Sequence, residues 1–142
     1  MKENLIEINR LYLESNEIYH TIAKKFNLSD SSFWILYCLR ISDSCFTQAD
    51  LMRGLSLSKQ TINSSIKLLE EKELICYVLE NNLKNKYLKL TSLGEEFCSK
   101  TIDKVFMVET SILNKIGLKD VKEILRIQKI YNELLKEELY EN

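Results

Sequence analysis

The chain has 142 residues, no proline, three glycines, 45% apolar and 29% charged residues, and a formal net charge of −1. Average usage of about 7% glycine and 5% proline makes this deficit large, and it excludes collagen-like chains, Pro-rich linkers and glycine-punctuated β-sandwiches or barrels. Ordinary apolar content with little net charge excludes a long disordered chain. What is left is a helix-rich single globular domain, long enough to bury roughly 70% of its unfolded surface.

Leu5, Ile8, Tyr12, Ser15, Tyr19, Ile22 and Phe26 recur at alternating steps of three and four, a heptad seam with Ser15 as its single polar member. The spacing predicts a long first helix whose stripe packs on helices of this chain or of a partner. Asn27 to Ser32 is a polar break in which Ser29 or Asp30 caps the next helix. That helix, about Ser31 to Ile41, carries Phe33, Trp34, Ile35, Leu36, Tyr37, Cys38 and Leu39. Being apolar nearly all round, it is expected to be the central buried element.

Ser42 to Phe46 reads as a loop. Thr47 is expected to cap a short helix through Arg53, with Asp50 in the capping-box position and Leu51 and Met52 inward. Leu55 to Leu57 read as a short turn, and Ser58 as the cap of a helix reaching about Lys72. On this helix Ile62, Ile66 and Leu69 share one face, while Gln60, Asn63, Ser64, Lys67 and Glu71 share the opposite one. A solvated helix face normally favours Glu and Lys pairs, so a face of amides and hydroxyls stands out.

Ile75 to Leu79 and Lys86 to Leu90, joined by Glu80 to Asn85, read as a two-stranded hairpin in which Leu88 and Leu90 share one face. Thr91 or Ser92 is expected to cap a long helix from Leu93 to about Ile116, with Cys98, Ile102, Val105, Val108 and Ile112 inward and Gly117 ending it. Asp120 is the expected cap of a final helix through about Tyr140, with an apolar series of Val121, Ile124, Leu125, Ile127, Tyr131, Leu134 and Leu135.

Neither a catalytic nor a metal centre is expected. Cys38, Cys45, Cys76 and Cys98 form no C-x-x-C pair, and His20 is the single imidazole, so neither a zinc site nor a histidine-activated nucleophile has its ligands at usable spacing. Cys38, Cys76 and Cys98 read as small buried hydrophobes, and Cys45 as the one thiol to test for redox chemistry. No glycine-rich phosphate loop is present, and no cofactor is expected. The longest apolar run, Phe33 to Leu39, is far short of the roughly 18 residues a membrane span needs. The first residues lack a signal-peptide layout, and the expected location is the cytoplasm, with no membrane partner.

Short helix, tight turn, second helix with a polar outer face, then a hairpin: this is the order of a winged helix-turn-helix. Gln and Asn amides can match adenine bidentately in the major groove, and Ser and Thr hydroxyls can bind phosphates or base edges. The expected DNA-binding residues are therefore Ser58, Lys59, Gln60, Thr61, Asn63, Ser64 and Lys67 on the second helix, with Lys84 and Lys86 on the hairpin. Charge is distributed accordingly: residues 53–90 hold seven Lys and Arg against four Asp and Glu, a net +3, while residues 1–52 and 91–142 are each net −2. A local positive block steers DNA whatever the overall charge.

The segments Phe46-Thr47-Gln48-Ala49-Asp50-Leu51, Leu57-Ser58-Lys59-Gln60-Thr61-Ile62, Leu68-Leu69-Glu70-Glu71-Lys72, Leu74-Ile75 and Leu90-Thr91-Ser92-Leu93-Gly94 resemble, in order and spacing, the MarR family of bacterial regulators. The resemblance covers essentially the whole chain. It implies a mainly α fold with a small β-hairpin wing (α+β), a winged helix-turn-helix flanked by long dimerisation helices. It implies one domain over residues 1–142, with dimerisation helices at about 1–30 and 93–142 and the DNA-binding part at about 31–92. By the same resemblance the protein is a homodimeric transcriptional regulator of double-stranded DNA, a repressor at a pseudo-palindromic operator, relieved by a small amphipathic or phenolic effector. Tyr12, Tyr19, Trp34 and Tyr37 are the candidate effector pocket. Three positions depart from the family pattern: Glu73 stands where a glycine is usual, Asn82 and Lys84 where the wing has Asp-x-Arg, and Ser64 where an arginine is common. Lysine lacks the planar fork of arginine, so DNA contact should depend more on Lys59, Gln60 and Asn63. The weakened wing keeps one alternative open, a winged-helix adaptor or antirepressor that binds a protein instead of DNA.

Overall fold

The helical periods organise a computed structural model that describes residues 1–42, 46–79 and 86–140. It falls into two units, Met1–Asp103 and Lys104–Asn142. The elements run α1 (Lys2–Lys25), α2 (Asp30–Ile41), α3 (Gln48–Leu55), α4 (Lys59–Glu71), β1 (Ile75–Leu79), β2 (Lys86–Leu90), α5 (Ser92–Lys100), α6 (Ile102–Ile116) and α7 (Leu118–Tyr140).

As its composition predicts, α2 is central to the first unit: it touches α1, α4, α5 and β2. Phe33, Ile35 and Leu36 are completely buried, against a shell that includes Leu51 of α3, Ile62, Ile66 and Leu69 of α4, Leu88 and Leu90 of β2, and Cys98 of α5. Burial of this kind is worth about 1.5–3 kcal/mol per large side chain. Where α2 meets α4 the residues are small: Ser32 and Ser65 are buried, and the Ser31 and Ser65 hydroxyls lie 2.6 Å apart.

Ser29, Thr47, Ser58 and Thr91 are the N-caps of α2, α3, α4 and α5, each side chain accepting a backbone N–H three residues on. Helix ends are handled without glycine in three places, where Asn27, Ser56 and Glu73 hold φ of 57°, 51° and 60°. At the end of α4 the motif is a full Schellman closure: Glu73 N–H donates to Glu70 O at 2.9 Å and Leu74 N–H to Leu69 O at 3.0 Å. The left-handed conformation costs a residue bearing a Cβ about 1–2 kcal/mol.

The hairpin is antiparallel, with Ile75 opposite Leu90 and Tyr77 opposite Leu88. Phe46 is not purely loop: it bridges to Leu88, whose N–H donates to Phe46 O at 2.8 Å, so both edges of β2 are partnered there. Thr91 N–H donates to Leu74 O at 3.1 Å and Thr91 Oγ1 to Glu73 O at 2.5 Å, closing the base of the hairpin. Gly94 lies against this closure; a Cβ there would overlap the Leu74 carbonyl oxygen.

Several expectations are corrected. The short helix α3 extends past Arg53 to Leu55, so Gly54 lies within its last turn and Ser56 is the turning residue. The single long helix expected from Leu93 to Ile116 is two helices, broken at Thr101 (φ −127°, ψ −76°). The Thr101 hydroxyl donates back to Phe97 O at 2.7 Å and its N–H reaches only Cys98 O at 3.2 Å, a tightened final turn that a back-bonding threonine favours. Val108 and Ile112, expected inward, are 58% and 48% exposed. Asp120 is not a cap: Gly117, at φ 95°, turns the chain so early that α7 starts at Leu118, and Asp120 sits in its first turn, where a negative charge favours the helix dipole. No residue of α7 is buried.

Arg40, in the last turn of α2, meets Asp103 bidentately, Nε to Oδ1 at 2.8 Å and a terminal nitrogen to Oδ2 at 2.7 Å. The guanidinium hydrogen bonds hold the Asp103 carboxyl below its usual range. A depressed carboxyl stabilises the fold above its unfolded pKa, near 3.9, and loses that contribution as pH falls through the lower folded value. Asp103→Asn is expected to lower stability by about 1 kcal/mol at pH 7. The gap to the parent should close below about pH 4, as read from urea denaturation across pH. A second pair of variants is expected to move in opposite directions. Gly94→Ala should lower the denaturation midpoint, whereas Glu73→Gly should raise stability by about 0.5–1 kcal/mol.

Candidate nucleic-acid interface

The outward face of α3 and α4 is built by their caps. Thr47 and Asp50 form a reciprocal capping box, Asp50 N–H to Thr47 Oγ1 at 3.1 Å and Thr47 N–H to Asp50 Oδ2 at 2.9 Å. Hydrogen bonds from the Thr47 backbone and hydroxyl, with the Arg53 charge adding to them, hold the Asp50 carboxyl below its ordinary pKa. It is therefore an ionised acceptor at neutral pH. The turn through Ser56 brings the chain to Ser58, whose hydroxyl accepts the Thr61 N–H at 3.2 Å and donates to Thr61 Oγ1 at 2.9 Å.

Ile62, Ser65, Ile66 and Leu69 face the core from α4, which leaves Lys59, Gln60, Thr61, Asn63, Ser64 and Lys67 all exposed on the opposite side. The hydroxyls are not idle: Ser58 is spent on the cap and Ser64 donates to Gln60 O at 2.9 Å. Backbone-bonded hydroxyls retain lone pairs for a donor. Gln60, Lys59 and Lys67 stand clear of the helix backbone as long polar side chains.

Lys86 is exposed at the start of β2, its ammonium 5.9 Å from the Tyr77 ring centroid. It shares with Lys59 an open hollow of about 640 Å3, whose other walls are Thr47, Gln48, Ala49, Met52 and Tyr77. The helix and the wing are thereby connected by a concave surface carrying two ammonium groups. Lys84, Asn82 and Cys45 lie outside the described residues. Thr47, Gln48 and Tyr77 of this hollow are not among the DNA-binding residues expected from the sequence, where Thr47 stands only as a helix cap; the signal available was the position of Thr47-Gln48 at the start of the helix preceding the polar one.

Of the aromatic residues, Tyr19, Trp34 and Tyr37 come together with Phe33. Tyr19 and Trp34 ring centroids are 4.9 Å apart, Phe33 and Trp34 5.0 Å, and Trp34 and Tyr37 5.4 Å. Tyr12 stands two turns away on α1 and is 65% exposed. His20 Nδ1 lies 2.8 Å from Asp30 Oδ1, joining the exposed end of α1 to the start of α2. Cys38 and Cys76 are half-buried, and burial pushes the Cys98 thiol up to about 12. Among the described residues no helix is long and apolar enough to cross a membrane.

A short capped helix, a turn, a helix with a polar outer face and a two-stranded wing together define a winged helix-turn-helix protein. Residues 26–78, from the end of α1 into β1, match the model of the MarR family. Over the whole chain the fold is that of MarR family transcription regulators, as the resemblance in the sequence implied. A MarR family regulator from Neisseria meningitidis superposes with a TM-score of 0.83 at 22% identity, over 100% of this chain and 99% of its own. The Staphylococcus aureus MepR–DNA complex gives 0.70 at 16% identity, over 89% of this chain and 93% of that one. Staphylococcus aureus MarR in complex with salicylate and kanamycin gives 0.68 at 23% identity, over 96% and 93%. A comparison with curated protein sequences finds no significant match.

Proposed function

We propose that the chain is a sequence-specific, homodimeric DNA-binding transcription regulator, acting as a repressor that a small amphipathic or phenolic molecule relieves. The observation that carries the reading is the exposed face of α4, where amides, hydroxyls and lysines stand opposite an inner face of Ile62, Ser65, Ile66 and Leu69. Residues 53–90, the net positive block, contain this helix and the wing. α4 would enter the major groove with Gln60 and Asn63 at base edges, while Lys59, Lys67, Lys86 and Lys84 neutralise phosphates. Ser58, Thr61 and Ser64 would contribute hydroxyl contacts to the backbone.

Dimerisation is supported by apolar residues that nothing within their own units covers. On α1, Leu5, Ile8 and Tyr12 are 47%, 52% and 65% exposed; on α7, Ile127 and Leu134 are 52% and 53% exposed. Helices of this kind owe their stability to packing of the apolar face rather than to propensity. Residues of about 1–30 and 93–142 are accordingly assigned to the dimer and about 31–92 to DNA. A two-fold dimer would offer two α4 helices to successive major grooves about one helical turn apart. The aromatic group of Tyr19, Trp34 and Tyr37, with Tyr12 above it, is the proposed effector region; the complex of Staphylococcus aureus MarR with salicylate supports the phenolic class of the effector.

Sedimentation of the purified chain is expected to give the mass of two copies. Footprinting on the promoter region upstream of its own gene should protect a pseudo-palindromic site. Lys59→Ala and Lys67→Ala should weaken binding to all duplexes, each lowering the slope of log affinity against log salt by about one. Absence of protection at low salt, with salt-insensitive binding to another protein, would instead establish the adaptor reading.

A further inference from the structure

One contact on the outer face joins the two helices of the helix-turn-helix and serves neither cap nor core: the side-chain amide of Gln48 donates to Asn63 Oδ1. Gln48 opens α3 but takes no part in its cap, which Thr47 and Asp50 complete between them. Nor does it contribute to the buried core, which on α3 is Leu51. It is half-buried beside the hollow that Lys59 and Lys86 share, and Asn63 is exposed in the middle of the face proposed to meet base edges.

An exposed asparagine samples several rotamers and both amide orientations, and it reads a base only after losing that freedom. The bond from Gln48 fixes which end of the Asn63 amide is the oxygen and which is the donor. It occupies one lone pair of Oδ1 and leaves Nδ2 as the group with both hydrogens to give. We infer that Gln48 is a specificity-determining positioning residue: it sets the orientation of Asn63 before DNA arrives, so that the two amides read one base pair as a unit. The inference rests on the DNA-reading function proposed above.

The test uses the full chain and a randomised duplex library, from which the preferred duplex is selected. Affinities for that duplex and each single-base variant are then measured by fluorescence anisotropy, for the parent, Gln48→Ala, Asn63→Ala and the double variant. Gln48→Ala and Asn63→Ala are expected to relax discrimination at the same base pair, each by about tenfold. The double variant should be no worse than Asn63→Ala alone, with the salt slope and the thermal midpoint unchanged. A Gln48→Ala variant that loses affinity uniformly, with a shallower salt slope, overturns the inference in favour of a phosphate contact. So does relaxation at a different base pair, or losses that add. If the parent selects a sequence that Gln48→Ala reads unchanged, the pairing fails while the DNA reading stands. If the parent selects none, both fall.

Discussion

The carbonyl of Leu74 is the point on which the outward geometry of the first unit turns. Leu74 lies two residues beyond Lys72, the C-cap of α4, fixed by the Schellman closure that returns the Leu74 N–H to Leu69. From the other side its carbonyl accepts the Thr91 N–H, so the end of α4 and the exit of the wing are pinned to one another. Gly94 lets the first turn of α5 come down on the same atom. Three elements therefore meet within a few ångströms, and a Cβ at residue 94 would have to push one of them aside. Because β1 starts at the residue after Leu74, the direction of the wing relative to α4 is decided here. The distance between the lysines of the wing and those of the helix follows from it.

Scarcity of glycine gains a structural meaning in this setting. The fold needs left-handed residues after α1, α3, α4 and α6, and only the last of these is a glycine. Asn27 is the next most tolerant choice, since its short amide accommodates αL, whereas Glu73 is held there by a long-range contact. At Glu73 the restraint is visible in the bond its carbonyl accepts from Thr91. Strain at the end of α4 is thus balanced by the closure of the wing.

Much of the fold was legible because the signals involved are local. Serine or threonine three residues ahead of a backbone donor marked the N-caps of α2, α3, α4 and α5, and the period of Ile62, Ile66 and Leu69 gave the buried face of α4. The break at Thr101 was not legible, because Cys98, Ile102 and Val105 continue a helical period across it. Only the burial of Thr101 and Ile102 together, and the back-bonding hydroxyl, reveal that the chain bends. The same limit explains Val108 and Ile112: periodicity reports that a residue wants to be covered, not which chain covers it. In the candidate interface, the polar face was readable as a pattern on one helix, but the Gln48–Asn63 contact joins residues fifteen positions apart on separate helices. Likewise Lys59 and Lys86 share a hollow only because the junction at Leu74 folds the wing back.

A recognition surface must be ordered to be selective, and order on an exposed helix is costly when side chains are long. α4 solves this unevenly. Its hydroxyls are already tied to the backbone or to one another, and Asn63 is held from α3, so these groups would lose little further freedom on meeting a duplex as proposed. Lys59, Lys67 and Lys86 lie in no ion pair among the described residues, which leaves them available to the phosphate charge of the proposed partner. In the proposed DNA reading, affinity and selectivity would be carried by different residues: ammonium groups would supply a field that any duplex satisfies, while amides set in place from α3 would penalise the wrong base edge. A wing built on lysine fits this division, since losing the rigid arginine fork sacrifices fixed geometry but not charge. What the chain gives up in oriented contacts at the wing, it must recover in the orientation of the few polar groups that α3 and α4 hold between them.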